Sequence, residues 1–158
     1  MDSSTEKGDK AKIYVTKSLW NGEIDHALVL DCSDPRLASA RMEFLSGYCG
    51  LGRYDSIIVP SGPTCMTVSE VTFLFDRQRV QMLHGIHQFK RAIGIAHHDC
   101  AYYKNKYPDH NEVQKCERQH TDLKKFRTDI QSMIPGVRVD LFYAAPNKEG
   151  FVAYTKIS

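Results

Sequence analysis

Ala92-Ile93-Gly94-Ile95-Ala96-His97-His98-Asp99-Cys100 is the stretch on which the reading of this chain turns. Five small or apolar residues run without a charge and then stop against four side chains able to hold a proton or a metal. A short apolar run closed by a polar turn reads as a strand buried on both faces, the habit of parallel sheets. The same grammar recurs along the chain. Ala27-Leu28-Val29-Leu30 ends in Asp31-Cys32-Ser33-Asp34-Pro35, and Ser56-Ile57-Ile58-Val59 ends in Pro60-Ser61-Gly62-Pro63. A fourth run, Val137-Arg138-Val139-Asp140-Leu141-Phe142-Tyr143, starts after Pro135-Gly136. Helical patterns fill the intervals at 37–48, 68–89 and 111–134; the last repeats apolar residues at 113, 116, 123, 126, 130 and 133. Strand–helix alternation predicts an α/β domain with a mainly parallel four-stranded sheet flanked by helices. Residues 150–157, beyond a Pro-Asn-Lys-Glu-Gly turn, are expected to return as an antiparallel C-terminal edge strand.

The chain has 158 residues, 42% hydrophobic and 25% charged, enough for one domain with a core that needs no disulfides. Residues 1–11 are almost devoid of apolar side chains and are expected to be a disordered tail, leaving 12–158 as a single domain. Twenty-one Lys+Arg against 19 Asp+Glu leave a net charge of +2, which argues against a nucleic-acid or membrane-surface binder. No apolar run is long enough to cross a membrane, and the polar N-terminal stretch lacks the apolar centre of a secretion signal. Cys32, Cys49, Cys65, Cys100 and Cys116 are odd in number and widely spaced, which suits a reducing, cytoplasmic setting better than a disulfide framework.

In open α/β sheets, sites form beyond the carboxyl ends of strands. Cys32-Ser33-Asp34-Pro35-Arg36 follows the first strand and His97-His98-Asp99-Cys100 the third. If those strands are neighbours, Cys32, His97 and Cys100 can converge on one ion. Two thiolates and an imidazole leave one tetrahedral position open, which is a catalytic rather than a structural zinc arrangement. Asp34, two residues past a ligand, can reach that open position, and Arg36 can hold its carboxylate by a two-pronged hydrogen bond. Taken singly, each cysteine reads as a small core residue and His97 as a hydrogen-bonded histidine. The joint pattern favours the metal.

C-x-D-x-R followed much later by H-x-x-C resembles the signature of the β-class carbonic anhydrases. Residues 50–59 are similar to that family's glycine turn and second strand, 93–100 to its third strand and metal turn, and 135–154 to its closing strand pair. The resemblance spans about 26–158 and points to a compact, minimal member. It implies Cys32, His97 and Cys100 as ligands of one zinc ion per chain, with Asp34 and Arg36 as the catalytic dyad. It further implies reversible hydration of carbon dioxide to bicarbonate by a zinc-bound hydroxide, in a homodimer or a higher assembly of dimers. Asp34, if released by Arg36, would become a fourth ligand and shut the site. Two thiolates make zinc a weaker Lewis acid than three histidines do, so activity is expected to increase toward alkaline pH.

The chain also departs from the family. Pro60-Ser61-Gly62-Pro63-Thr64 stands where a basic residue and two asparagines are usual, and Ala101 where glycine is common. These changes shape the pocket and leave open a carbon disulfide or carbonyl sulfide hydrolase on the same scaffold. A non-catalytic zinc-binding domain is the alternative from another class. Tyr102, Tyr103 and Tyr107 are expected to wall the pocket, Asp99 to orient the metal loop by capping backbone donors, and His98 to face solvent or support the ligands. His84 and His87, three apart with no carboxylate nearby in sequence, read as an exposed helix face. With His98 and the tyrosines they are the candidate proton shuttles. Gly47, Gly50 and Gly52 read as a helix stop and turn, and Cys49, Cys65 and Cys116 as packing residues.

Overall fold

The computed structural model describes residues 14, 16–18, 22–64, 66 and 70–158, with backbone alone for 70–75. The expected tail over 1–11 and Cys65 lie outside these residues. Among the described residues, five strands form one sheet: β1 (Ala27–Cys32), β2 (Asp55–Val59), β3 (Arg91–His97), β4 (Arg138–Pro146) and β5 (Val152–Ile157). Their order is β2-β1-β3-β4-β5, with β1–β2, β1–β3 and β3–β4 parallel and β4–β5 antiparallel. The helices are α1 (Ala38–Gly47), α2 (Glu70–His87), α3 (Ala101–Lys106) and α4 (Glu112–Met133), with short 3-10 turns at Pro35–Leu37 and Gly62–Thr64. No helix among the described residues is long and apolar enough to cross a membrane.

Alternation along the strands divides the core into two layers. Leu28, Leu30, Ala92, Ala96, Val139 and Leu141 pack with Val80 of α2 and Leu123, Phe126 and Ile130 of α4. Ala27, Val29, Ile93, Ile95, Phe142 and Ala144 face the other way, against Leu45 of α1, Leu37 and Leu51. Every residue of β1 is buried, as a strand covered on both faces requires. Gly94 is set by this packing. A Cβ there would lie 2.9 Å from Phe126 Cε1, so the glycine lets α4 settle on β3.

The helix ends follow local chemistry. Asn111 caps α4 by accepting from the Gln114 N–H, and the Gln114 side chain accepts from the Asn111 N–H in return. The glycine turn is as expected: Gly47 ends α1, and Gly50 takes a left-handed φ of 70°. Two features differ from the sequence reading. The six-residue helix α3 had no periodicity to reveal it. His84 and His87 are partly buried rather than exposed: His84 packs edge-on against Phe89, and His87 Nδ1 lies 2.8 Å from Asp55 Oδ1. The carboxylate that His87 lacked in its neighbourhood of sequence comes from β2.

Candidate metal centre

Cys32 is the last residue of β1, His97 the last of β3, and Cys100 lies just ahead of α3. β1 and β3 are hydrogen-bonded neighbours, and β2 lies on the far side of β1. The strand order therefore reverses between β1 and β3, which opens a crevice beyond their carboxyl ends. The three ligand-type atoms lie within 4.8 Å of one another, and the two sulfurs are 4.0 Å apart. Tetrahedral zinc separates its sulfur and nitrogen ligands by roughly 3.5–3.8 Å, so a small contraction would close this triad on an ion. No other group of this kind occurs among the described residues.

All three side chains are buried, with His97 at 2% exposure. His97 Nδ1 lies 2.8 Å from the His98 carbonyl oxygen and donates to it, which leaves Nε2 carrying the lone pair. That Nε2 is buried and has no partner among the described residues. An orphaned acceptor facing two sulfurs, with its ring fixed from behind, is what a metal-binding histidine presents. The two sulfurs are in hydrogen-bond contact, either able to donate, and the contact with Cys32 holds Cys100 down at about 6. The backbone at Tyr103 and Tyr102 lowers it further. The same contact, together with burial, pushes Cys32 up to about 12. Burial opposes charge on His97, but Cys32, the His98 carbonyl and the Asp34 carboxylate together raise the imidazole.

Asp34 caps the first 3-10 turn, its Oδ1 accepting from the Arg36 N–H at 2.9 Å. Arg36 Nε donates to Asp34 Oδ1 at 3.0 Å and Nη2 to Oδ2 at 2.7 Å, a two-pronged grip. The other edge of the guanidinium belongs to Asp99, with Nη1 on Oδ2 at 2.9 Å and Nη2 on the carbonyl at 3.2 Å. Lys104 pairs with the same Asp99 carboxylate. Arg36 holds Asp34 at about 2, and Lys104 with Arg36 does the same for Asp99. Asp99 thus binds side chains instead of capping backbone donors. Asp99 itself sits at a left-handed φ of 62°.

Residues that the sequence did not single out support the triad. Asp31, wholly buried, accepts the Cys32 N–H on Oδ1 at 2.6 Å, and Arg41 Nη1 reaches its Oδ2 at 3.2 Å. Arg41 Nη1 also donates to the Cys32 carbonyl at 3.3 Å, so both backbone groups of the cysteine are held. Gln119 of α4 donates to the His97 carbonyl at 3.0 Å. Tyr103 packs on Cys32 and Cys100 and donates its hydroxyl to buried Asp122 at 2.7 Å. Of the three tyrosines expected as a wall, only Tyr103 is buried; Tyr102 and Tyr107 pack at its sides. His98 is exposed. With Arg36, His97 and Asp99 it borders a cavity of about 410 Å³ that extends under Ala144 and Val152. Cys49 is a buried packing residue, whereas Cys116 is half-buried with its sulfur 3.6 Å from His120 Nε2. Asp31 and Gln119 carried a faint signal, being polar residues at positions where the strand and helix patterns demand burial.

No protein-family model matches the chain, and no curated protein matches its sequence. Solved structures do match. The β-carbonic anhydrase CafA of Aspergillus fumigatus superposes with a TM-score of 0.54 at 11% identity, over 87% of this chain and 78% of its own. The carbonic anhydrase of Streptococcus mutans gives 0.54 at 11% identity, over 84% and 81%. The chain has the β-carbonic anhydrase fold. A β-carbonic anhydrase of Trichomonas vaginalis extends the likeness to 90% of this chain and 87% of its own, with a TM-score of 0.51 at 15% identity. At such identities the likeness speaks for the β-carbonic anhydrase fold alone; any role for the site rests on its residues.

Proposed function

We propose that the chain is a zinc enzyme of the β-carbonic anhydrase kind that interconverts carbon dioxide and bicarbonate. Cys32, His97 and Cys100 hold the metal, one ion per chain, and Asp34 and Arg36 act beside it. The observation that carries this reading is the buried His97 Nε2, without a hydrogen-bond partner among the described residues and set against two sulfurs 4.0 Å apart, at the sheet's switch point. When bound there, zinc supplies a Lewis acid that makes water nucleophilic near neutral pH.

The chain's own residues supply the rest. Asp34 is ionised at all physiological pH values and clamped by Arg36, so it offers a fixed acceptor for the proton of the attacking oxygen. An acceptor that is already oriented costs no reorganisation when the carbon is attacked. Arg36 is held in turn by Asp99, which favours the form in which Asp34 stays with Arg36. A domain that uses Asp34 as a fourth ligand would need this clamp undone. The Asp31–Arg41 pair and Gln119 hold the backbone of Cys32 and His97 and keep the ligands from collapsing when the proton balance changes. Two copies assembling into a dimer, and a cytoplasmic setting, complete the reading. They follow from the sequence resemblance and its cysteine usage.

The test is metal analysis with a substrate comparison. The wild type should retain close to one zinc per chain and Cys100→Ser much less. Asp34→Asn should keep zinc but lose hydration of carbon dioxide. Turnover of carbonyl sulfide or carbon disulfide without carbon dioxide hydration would move the assignment to a hydrolase on the same scaffold. Full hydration by Asp34→Asn would remove Asp34 from the mechanism.

A further inference from the structure

Three polar side-chain atoms at the carboxyl end of the sheet are buried without a hydrogen-bond partner among the described residues: His97 Nε2, Ser61 Oγ and Tyr154 Oη, the last on the register partner of Ala144. The metal accounts for the first. Ser61 is 2% exposed and lies two residues beyond Val59, the register partner of Cys32. A hydroxyl sealed from water with nothing to bond is destabilising, and native structures keep few of them.

The backbone at Ser61 is also unusual. Its φ of 71° is left-handed, a conformation uncommon for residues other than glycine and asparagine. The next residue leaves no slack. A Cβ on Gly62 would sit 2.8 Å from the Cys32 nitrogen and 2.9 Å from the Ile95 carbonyl oxygen, so the turn is pressed against both ligand-bearing strands. The strained turn is held from outside. Thr64 Oγ1 donates to the Ser61 carbonyl at 2.8 Å and lies against the Tyr103 hydroxyl. Tyr103 is anchored on Asp122 at 2.7 Å, and Asp122 on Arg118 at 3.2 Å. Surroundings that over-determine a strained residue, while leaving its hydroxyl unused, mark a position kept for something other than stability.

We propose that Ser61 is a ligand-positioning residue whose hydroxyl donates a hydrogen bond to a small oxyanion, of the bicarbonate class, bound beside Cys32, His97 and Cys100. The inference rests on the metal reading and deepens it by naming the donor that the anion meets. An oxyanion entering among two sulfurs and the Asp34 carboxylate needs a hydrogen-bond donor. Arg36 is committed to Asp34 and Asp99, and His97 faces the metal, which leaves the hydroxyls of Ser61 and Tyr154 as the unpaired donors among the described residues at this end of the sheet. The Tyr154 ring stacks on Phe44 of α1 at 3.9 Å, whereas Ser61 adjoins the Gly62 that abuts Cys32, so Ser61 is the donor beside the triad. A tighter grip on the anion than on carbon dioxide would appear in the dehydration direction, where bicarbonate is the substrate.

The experiment uses the full chain loaded with cobalt(II), with bicarbonate titrated against the metal's visible absorption, alongside thermal melting. Ser61→Ala should take up cobalt as the wild type does, melt at the same or a higher temperature, and bind bicarbonate roughly tenfold more weakly. Ser61→Asn, which tolerates a left-handed φ and restores a donor, should recover part of that affinity. In dehydration assays the Ser61→Ala loss should fall on KM for bicarbonate. A Ser61→Ala protein that loads with cobalt, melts lower and binds bicarbonate with unchanged affinity would overturn the proposal, because the hydroxyl would then serve the fold. Failure of the wild type itself to bind cobalt would overturn the metal reading, and this proposal with it.

Discussion

Replacing Gly62 by alanine should damage the fold and the metal site together, and the structure gives the size of the effect. The added Cβ would meet the Cys32 nitrogen at 2.8 Å, the Asp31 carbonyl carbon at 2.9 Å and the Ile95 carbonyl oxygen at 2.9 Å. All three are backbone atoms, so no side chain can swing aside. The φ of 60° adds a left-handed penalty of about 1–2 kcal/mol for any residue with a Cβ. Overpacking adds about 1–3 kcal/mol, for an expected loss of about 2–5 kcal/mol. For a domain of this size that is roughly 5–15 °C in Tm. The displaced atoms belong to the strands that carry Cys32 and His97, so zinc content should fall as well. Gly94→Ala is the control. Its Cβ would meet Phe126 ring carbons at 2.9 and 3.0 Å and Leu141 Cδ2 at 3.3 Å, all side-chain atoms rather than the backbone of Cys32, so Gly94→Ala should lower Tm with zinc retained. Differential scanning calorimetry with zinc analysis on both variants decides the matter. A Gly62→Ala protein with full zinc and a Tm within about 2 °C of wild type would refute the close approach on which this reasoning depends.

Other consequences can be measured separately. Arg36→Ala should raise the Asp34 carboxyl from about 2 toward the ordinary value of about 3.9, read from its carbon-13 carboxyl titration; an unmoved midpoint would show that Arg36 is not its partner. Because the folded value is depressed, the Asp34–Arg36 contribution to stability is complete above about pH 4 and lost as pH falls through about 2. Acid unfolding of Asp34→Asn should accordingly be shallower over that interval. Tyr103→Phe leaves the Asp122 carboxylate buried with one fewer donor, a loss of about 1–3 kcal/mol by urea denaturation. A change below about 0.5 kcal/mol would mean that Arg118 alone satisfies Asp122.

Much of this architecture is legible in local sequence because the central strands β1 and β3 are buried on both faces and stop abruptly, although the edge strand β2, read the same way, leaves Ile58 exposed. The run 92–96 is uncharged up to His97, and β3 ends on that histidine. β1 extends past the apolar run to include Asp31 and Cys32, because Arg41 and the Cys32 N–H satisfy the buried carboxylate. Reading the residues alone cannot find that partner, which lies ten residues on in α1. The same limit hid the Asp55 carboxylate beside His87, the Asp99–Arg36 contact and the Gln119 bond to His97. Each joins elements far apart in sequence. The motif spacing brought Cys32, His97 and Cys100 to one end of the sheet, but nothing in it disclosed that His97 Nε2 would have no hydrogen-bond partner among the described residues. The helix α3 escaped notice because six residues are too few to show a helical period. The segment 60–64 stood out as the turn closing a strand and as a departure from a family pattern. Its left-handed Ser61 and Gly62, and its contact with Cys32, are properties of the assembled sheet.

Stopped-flow hydration of carbon dioxide by the zinc-loaded chain, followed from neutral to alkaline pH, tests the central claim most directly. The account predicts a hydration rate that increases with pH, disappears in Cys100→Ser and is strongly reduced in zinc-replete Asp34→Asn. A zinc-loaded wild-type protein that hydrates no carbon dioxide at any pH would contradict it.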